Sequence, residues 1–307
     1  MRFTLKQLSY FVAAGETNSI TLASERVHIS QPSISSAISQ LEAEFGVQLF
    51  FRHHAQGLSL TPAGERMLVA ARLLLKDAEG LHDLAHEITS TVAGPLRIGA
   101  FRTFAPLLLP DLCADFAAAY PKVTLEMIED HEAELVAKVR KAELDVALTY
   151  EQQGDDLQFE QLALMPTYVL LAADHTLASR GSLRLQDLAG QPFILLDLPV
   201  SKDYFHSLFV RADVPLNVVA RSDQPETVRS YVGAGLGFSL LTARPKNMVA
   251  LNGKALAYVR LEDDFPPMKL GMISARNIRK TPAVLAFEAH CRRSVTTAAI
   301  PGMTSWP

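Results

Sequence analysis

The chain has 307 residues, 49% of them apolar, with 29 Lys and Arg against 33 Asp and Glu and only two Cys. That length holds two or three domains with real cores. Two cysteines exclude a disulfide scaffold and fit a reducing compartment, and a net charge of −4 excludes a generally basic coat for nucleic acid. The start, MRFTLKQLSYF, lacks the apolar core and cleavage site of a secretory signal. The longest nearly apolar run, residues 162–173, contains Pro166, Thr167 and Tyr168 and is too short to span a bilayer. A cytoplasmic protein with no membrane partner is therefore expected.

In chain order, Thr4 and Gln7 have capping-box spacing and open a helix with Leu5, Leu8, Phe11 and Val12 on one face. Asn18-Ser19 caps a second helix whose Leu22, Ala23 and Val27 are expected to point inward, and His28-Ile29-Ser30 makes a turn. Ser30 is placed to cap a third helix, with Pro32 in its first turn, where a missing N–H costs nothing. Ile34, Ala37, Ile38, Leu41 and Phe45 recur at spacings of three and four, and Gly46 ends the helix. The opposite face carries Ser33, Ser35, Ser36, Ser39 and Gln40, with Gln31 and Pro32 leading. Solvated helix faces are normally Lys, Glu and Arg. Small uncharged hydrogen-bonding groups there suit a flat polar surface, and the major groove of DNA is such a surface. Residues 48–61 then read as two short strands about a Gln56-Gly57 turn, a wing with Arg52 and His53 available for a phosphate or a minor groove.

Here the pattern SQPS…S…I..LE..FGV.LF.R….LTPAG is similar to the N-terminal winged helix-turn-helix of LysR-type transcriptional regulators. The resemblance implies double-stranded DNA as partner, read by Gln31, Pro32, Ser33, Ser35 and Ser36 with Arg52 and His53 on the wing. Members often carry Arg at the position of Ser36 and a second basic residue where this chain has Ala55. Residues 1–90 hold seven Lys and Arg against nine Asp and Glu, so phosphate attraction alone would not hold one such head on DNA at physiological salt. Binding must be geometric and multivalent.

The next segment supplies multivalency. Met67, Ala71, Leu74, Ala78, Leu81, Ala85 and Ile88 alternate at four and three, a heptad seam over residues 62–90 in which bulk alternates with Ala. A dimerising linker helix is expected, making the second head's binding intramolecular.

After Gly94-Pro95, strands and helices alternate. Strand 96–100, helix 104–119, strand 123–129, helix 131–142 and strand 145–150 form a βαβαβ unit with a buried parallel sheet. A second unit comprises strands 167–173, 192–197, 216–222 and 238–242 with helices 201–212 and 225–234; strands near 256–262 and 269–275 and helix 281–297 return the chain. Two crossings, near 164–166 and 266–268, make a clamshell. It resembles the same family's effector-binding domain, which is similar to periplasmic binding proteins. The expected architecture is a mixed α+β and α/β multidomain chain: a winged helix-turn-helix over 1–61, a linker helix over 62–92 and a two-lobed effector domain over 93–300. Lobe I takes 93–164 and 268–297, and lobe II takes 165–267.

Such a clamshell binds small molecules at the carboxyl ends of its strands, where helix N-termini favour an anion. The residues expected there are Arg102, Thr103, Phe104, His131, Thr149, Ser201, Lys202, Tyr204 and Gln224. The resemblance places Thr103 where an effector-contacting Ser or Thr starts the first helix. Arg102 and Lys202 favour an organic acid or amino acid. Other signals are structural. Gly233-Ala-Gly235-Leu-Gly237 follows a helix and precedes a strand, the reverse of a dinucleotide loop. Cys113 falls on an apolar helix face, and Cys291 lies on the final helix. Some family members sense peroxide with a Cys pair at the second lobe's opening helix, but residues 201–213 hold no Cys. No Cys/His cluster has metal-ligand spacing and no GxSxG elbow exists, so neither metal, cofactor nor enzymatic activity is expected. The family analogy adds a tetramer, with RNA polymerase as a candidate partner. The rival reading is an α/β enzyme or small-molecule-binding domain without DNA binding.

Overall fold

Three short helices open the chain: α1 (Leu5–Thr17), α2 (Ile20–Val27) and α3 (Gln31–Phe45). The computed structural model describes residues 3–53, 57–87, 92–151 and 156–304, and only the backbone of residues 52, 53, 57 and 82–87. The capping box forms as spaced, with Gln7 N donating to Thr4 Oγ1 and Thr4 N to Gln7 Oε1. Asn18 closes α1 in the left-handed region rather than opening α2, and Ser19 alone caps α2. Ser30 stands at the N-cap of α3, but its hydroxyl pairs with that of Ser33 at 2.8 Å instead of a backbone N–H. Leu8, Phe11, Ala23, Ile34, Ile38 and Leu41 form the core, with Phe11 edge-on to Phe50 at 5.6 Å. Leu5 and Leu22, both expected to face inward, are about half exposed. With eight residues, α2 is too short to bury more than one line of side chains, and Ala23 takes that line.

The wing is β1 (Phe50–His53) paired antiparallel with β2 (Gly57–Leu60); its tip, including Gln56, lies outside the described residues. The TPAG motif has a steric reason. Thr61 Oγ1 donates to Gln48 O and accepts from Gly64 N, which folds the start of α4 (Pro62–Glu87) onto the segment just before β1. A Cβ on Gly64 would stand 2.1 Å from Leu49 O, so only Gly fits there. Helix α4 spends Leu68 and Ala71 on the core of the head, and Met67 packs against it. Met67 and Ala71, the first two positions of the expected seam, are therefore spent within the head. Leu74 and Leu81 are 40% and 67% exposed, while the side chain of Ala85 and all of Ile88 lie outside the described residues. Ion pairs tie the same helix both to α1 and to the segment just before β5. Arg72 bridges Glu16 of α1 (2.9 Å) and Glu143 (2.8 Å), and Lys76 meets Asp145 at 2.7 Å.

The remaining chain builds two sheets. The first is made from β3 (Gly94–Phe101), α5 (Ala105–Ala119), β4 (Val123–Asp130), α6 (Glu132–Arg140), β5 (Val146–Tyr150) and β6 (Leu157–Met165). The second takes β7 (Tyr168–Ala172), β8 (Ser182–Leu183), β9 (Phe193–Leu196), α7 (Pro199–Ala212), β10 (Val218–Ser222), α8 (Pro225–Gly233), β11 (Ser239–Leu241) and β12 (Leu256–Leu261). Then β13 (Met268–Ala275) and α9 (Pro282–Ser294) return to the first.

The first sheet has strand order β4-β3-β5-β13-β6. Its β4-β3-β5 half is parallel, as expected of a βαβαβ unit, but β13 runs antiparallel to both neighbours, so the sheet is mixed. Strand β6 is an addition to the expected elements: its alternating half-buried face resembles a loop in an apolar count. The second sheet runs β11-β7-β12-β8, with parallel β10-β9 attached through a Phe193–Phe238 bridge. Gly237, at φ +156°, turns the chain into that bridge, where a Cβ would meet Pro192 O at 2.2 Å. The Gly-rich run is thus a close-packed turn rather than a phosphate cradle. Cys113 and Cys291 are both buried, and burial pushes the Cys113 thiol up to about 11 and that of Cys291 higher still. Among the described residues no helix is long and apolar enough to cross a membrane, and no cluster of metal-ligating side chains occurs.

Candidate functional site

Two surfaces have the chemistry of a site. The first is the outer face of α3. Gln31, Pro32, Ser33, Ser36, Ser39 and Gln40 are exposed and Ser35 is half-buried, whereas Ile34, Ala37, Ile38 and Leu41 face the core. The three- and four-residue spacing therefore sorts the helix as the sequence implies. Gln40 is held from behind by Gln7 Nε2 at 2.6 Å and donates to Ser36 Oγ at 3.4 Å. A row of small hydroxyls can approach base edges closely and both donate and accept. Arg52 and His53 lie on β1, but their side chains are outside the described residues.

The second is a cavity of about 200 Å³ between the two sheets. From the first sheet it is lined by Arg102, Thr103, Glu129 and Tyr150; from the second come Leu196, Ser201, Phe205, Gln224 and Glu226. Four of the nine side chains expected there, Arg102, Thr103, Ser201 and Gln224, line it. Thr103 is 8% exposed, and its Oγ1 closes no hydrogen bond of normal geometry. It nevertheless lies near enough to the Tyr150 hydroxyl to oppose, weakly, the upward push that burial gives that phenol. Tyr150 remains a neutral phenol and meets Thr242 Oγ1 at 2.9 Å, joining the first sheet to the end of β11. His131 does not line the cavity but backs Arg102, its Nε2 lying 3.0 Å from the guanidinium. Because Arg only donates, this Nε2 accepts and the proton sits on Nδ1.

The other four expectations are corrected. Phe104 is the N-cap of α5 and turns into the core against Phe101 and Tyr150. Thr149 is fully buried, since along a strand it and Tyr150 face opposite ways. Lys202 points outward toward Asp197 at 3.9 Å, because α7 starts at Pro199 and its inward face runs Ser201 to Phe205. Tyr204 sits at the crossings between the sheets. It accepts from Thr167 Oγ1 at 2.7 Å and donates to Pro266 O at 2.9 Å, which fastens both connections.

Glu129 and Arg229 are among the lining residues that sequence reasoning missed. Glu129 lies on β4, paired with Ala100, one residue before the Asp130-His131 that strand-end counting selects. Arg229 is 2% exposed and fully engaged, with Glu226 at 3.2 Å, the Tyr258 hydroxyl at 2.6 Å and Asn247 O at 2.6 Å. Helix periodicity could have found Phe205, four residues after Ser201. Nothing local in the sequence announces Arg229.

A winged helix-turn-helix joined through a long helix to a two-lobed binding domain is the build of a ligand-responsive transcriptional regulator. Residues 5–65 match the bacterial regulatory helix-turn-helix protein family, lysR type, and residues 89–296 match the LysR substrate binding domain. The chain belongs to the LysR family of DNA-binding transcriptional regulators, proteins that carry an effector-binding domain and are not enzymes. A hydrogen peroxide-inducible genes activator of Pectobacterium carotovorum is 30% identical over 241 residues, 78% of this chain and 80% of that protein. Among solved structures, HinK of Pseudomonas aeruginosa, a LysR family transcriptional regulator, is 36% identical with a TM-score of 0.65, over 97% of this chain and 100% of its own. Full-length OxyR of the same organism is 27% identical with a TM-score of 0.75, over 95% and 98%.

Proposed function

We propose that this regulator reads DNA with Gln31, Pro32, Ser33, Ser35 and Ser36, assisted by Arg52 and His53 of the wing. Its effector is a small organic acid or amino acid held between the lobes by Thr103, Ser201, Arg102 and Gln224. The observation that carries the effector reading is the Thr103 hydroxyl, buried in the cavity's lining without a full hydrogen bond. A buried polar group normally has a partner, and a carboxylate would supply one. Ser201 near the start of α7 offers a second donor from the opposite lobe, and Arg102 adds charge. An effector touching both lobes favours one closure over another and shifts the spacing of the heads.

The domain limits in this reading are 1–61, 62–92 and 93–300. Two chains pair through the exposed Leu74 and Leu81 with Ala78 between them, and pairs assemble into a cytoplasmic tetramer that contacts RNA polymerase. Thiol-based peroxide sensing is not part of this reading. Both cysteines are buried with thiols held protonated, and the thiolate is the reactive form. Footprinting tests the effector assignment. A ligand that alters the wild-type footprint should lose that effect with Thr103→Ala, and an unchanged response would refute the assignment.

A further inference from the structure

We infer that the effector is a compact zwitterion, an α-amino acid with an apolar side chain, and that Glu129 selects it by pairing with its ammonium group. This rests on the proposed role of the cavity as the effector site. The cavity is lined by two cations and two carboxylates, and only part of that charge is internally compensated. Arg229 and Glu226 bind each other, so that pair is spent. Arg102 touches His131 and, at 3.9 Å, Asp223, leaving guanidinium donors over. Glu129 is exposed, with one edge on the cavity, and has no hydrogen-bond or ion-pair partner among the described residues, although Arg102 stands two positions beyond its β3 partner Ala100. One cation and one carboxylate thus face the same small cavity without neutralising each other.

A simple carboxylate bound at Thr103, Ser201 and Arg102 would bring a second negative charge close to Glu129, and a dianion would be worse. A ligand with a carboxylate at one end and an ammonium at the other satisfies both charges. Size agrees, for about 200 Å³ lies below the roughly 300–1,000 Å³ of drug-sized sites. Pro106, Leu107, Leu196, Phe205 and Leu241 complete the wall, which suits an aliphatic or aromatic side chain and not a third charge.

The test is calorimetric titration of the full-length protein with the proteinogenic amino acids. For any that binds, the deaminated acid and the decarboxylated amine of the same skeleton are titrated next; for leucine these are 4-methylpentanoate and 3-methylbutylamine. The expected result is an apolar amino acid bound at least about tenfold more tightly than either relative. Glu129→Gln, folded by circular dichroism, should weaken the amino acid about two- to fivefold and leave the deaminated acid unchanged or tighter. Binding of the deaminated acid as tightly as the amino acid, indifference to Glu129→Gln, or failure of every amino acid to bind would each overturn the inference. Thr103→Val keeps the two readings separate. If it weakens carboxylates while Glu129→Gln changes nothing, the cavity is right and the zwitterion wrong. Binding insensitive to both variants places the ligand elsewhere.

Discussion

The outer face of α3 and the cavity between the sheets are both proposed sites, but the chain makes them in different ways. The α3 face comes from ten consecutive residues, Gln31 to Gln40, sorted by one helix period around a core of short local contacts. The cavity is assembled from residues between Arg102 and Pro245, brought together by two sheets and two crossings. A site within one helix is specified by its own spacing. A site built from strand ends depends on register, on where each helix starts, and on which way successive side chains turn.

That contrast can be broken or sharpened experimentally. The largest effect should come from Phe11→Ala, which removes a fully buried ring packed on Phe50 and should cost about 3–5 kcal/mol. If the head is a local unit, calorimetry will show its transition lost or lowered and DNA binding abolished, with ligand binding to the cavity intact. Next, Lys76→Met strips Asp145 of its cation where both are nearly buried, at a cost of about 3 kcal/mol. Asp145 also accepts the Arg97 amide at 2.7 Å, so the loss should register in denaturant unfolding of the first lobe rather than of the head.

A smaller, opposite change is expected of Ser36→Arg. Ser36 is exposed on the outer face of α3, and one added phosphate contact should steepen the salt dependence of binding by about one unit in log–log slope. Titrations at several salt concentrations measure it, and an unchanged slope would place Ser36 away from the backbone. The smallest effect concerns pH. A hydrogen bond from Arg292 lowers the pKa of Glu160 below its usual 4.5. The pair's contribution is therefore present above that value and disappears as pH falls through the lower folded value. At a partly exposed site it amounts to under about 1 kcal/mol. Arg292→Ala should accordingly lower stability slightly at pH 7 and not at all near pH 2.

Much of this is legible in the chain itself, for identifiable reasons. Helix caps, the α3 face and the wing follow from local spacing, and Thr61-Pro62-Ala63-Gly64 is recognisable even before Leu49 O explains its glycine. The linker periodicity is real but ambiguous, since a helix cannot reveal that Ala71 serves its own head while Leu81 is left outside. In the cavity, strand ends locate Arg102 and Thr103, yet they also select Thr149 over Tyr150 and Lys202 over Phe205. Both errors are one-step faults of facing: adjacent residues on a strand point oppositely, and Ser201 shares its helix face with the residue four later. Arg229 cannot be foreseen, because its partners at Asn247 and Tyr258 come from segments that only the tertiary fold brings near.

The most direct test of the central claim is a mobility-shift titration using DNA upstream of the protein's own gene neighbourhood. Wild type is run beside a double variant, Ser33→Glu with Ser36→Glu. Both positions are exposed, so the variant should unfold at the wild-type temperature. Retardation by the wild type and none by the variant is the predicted result; equal retardation by the two, or none by either, would contradict a DNA-reading role for the serine face of α3.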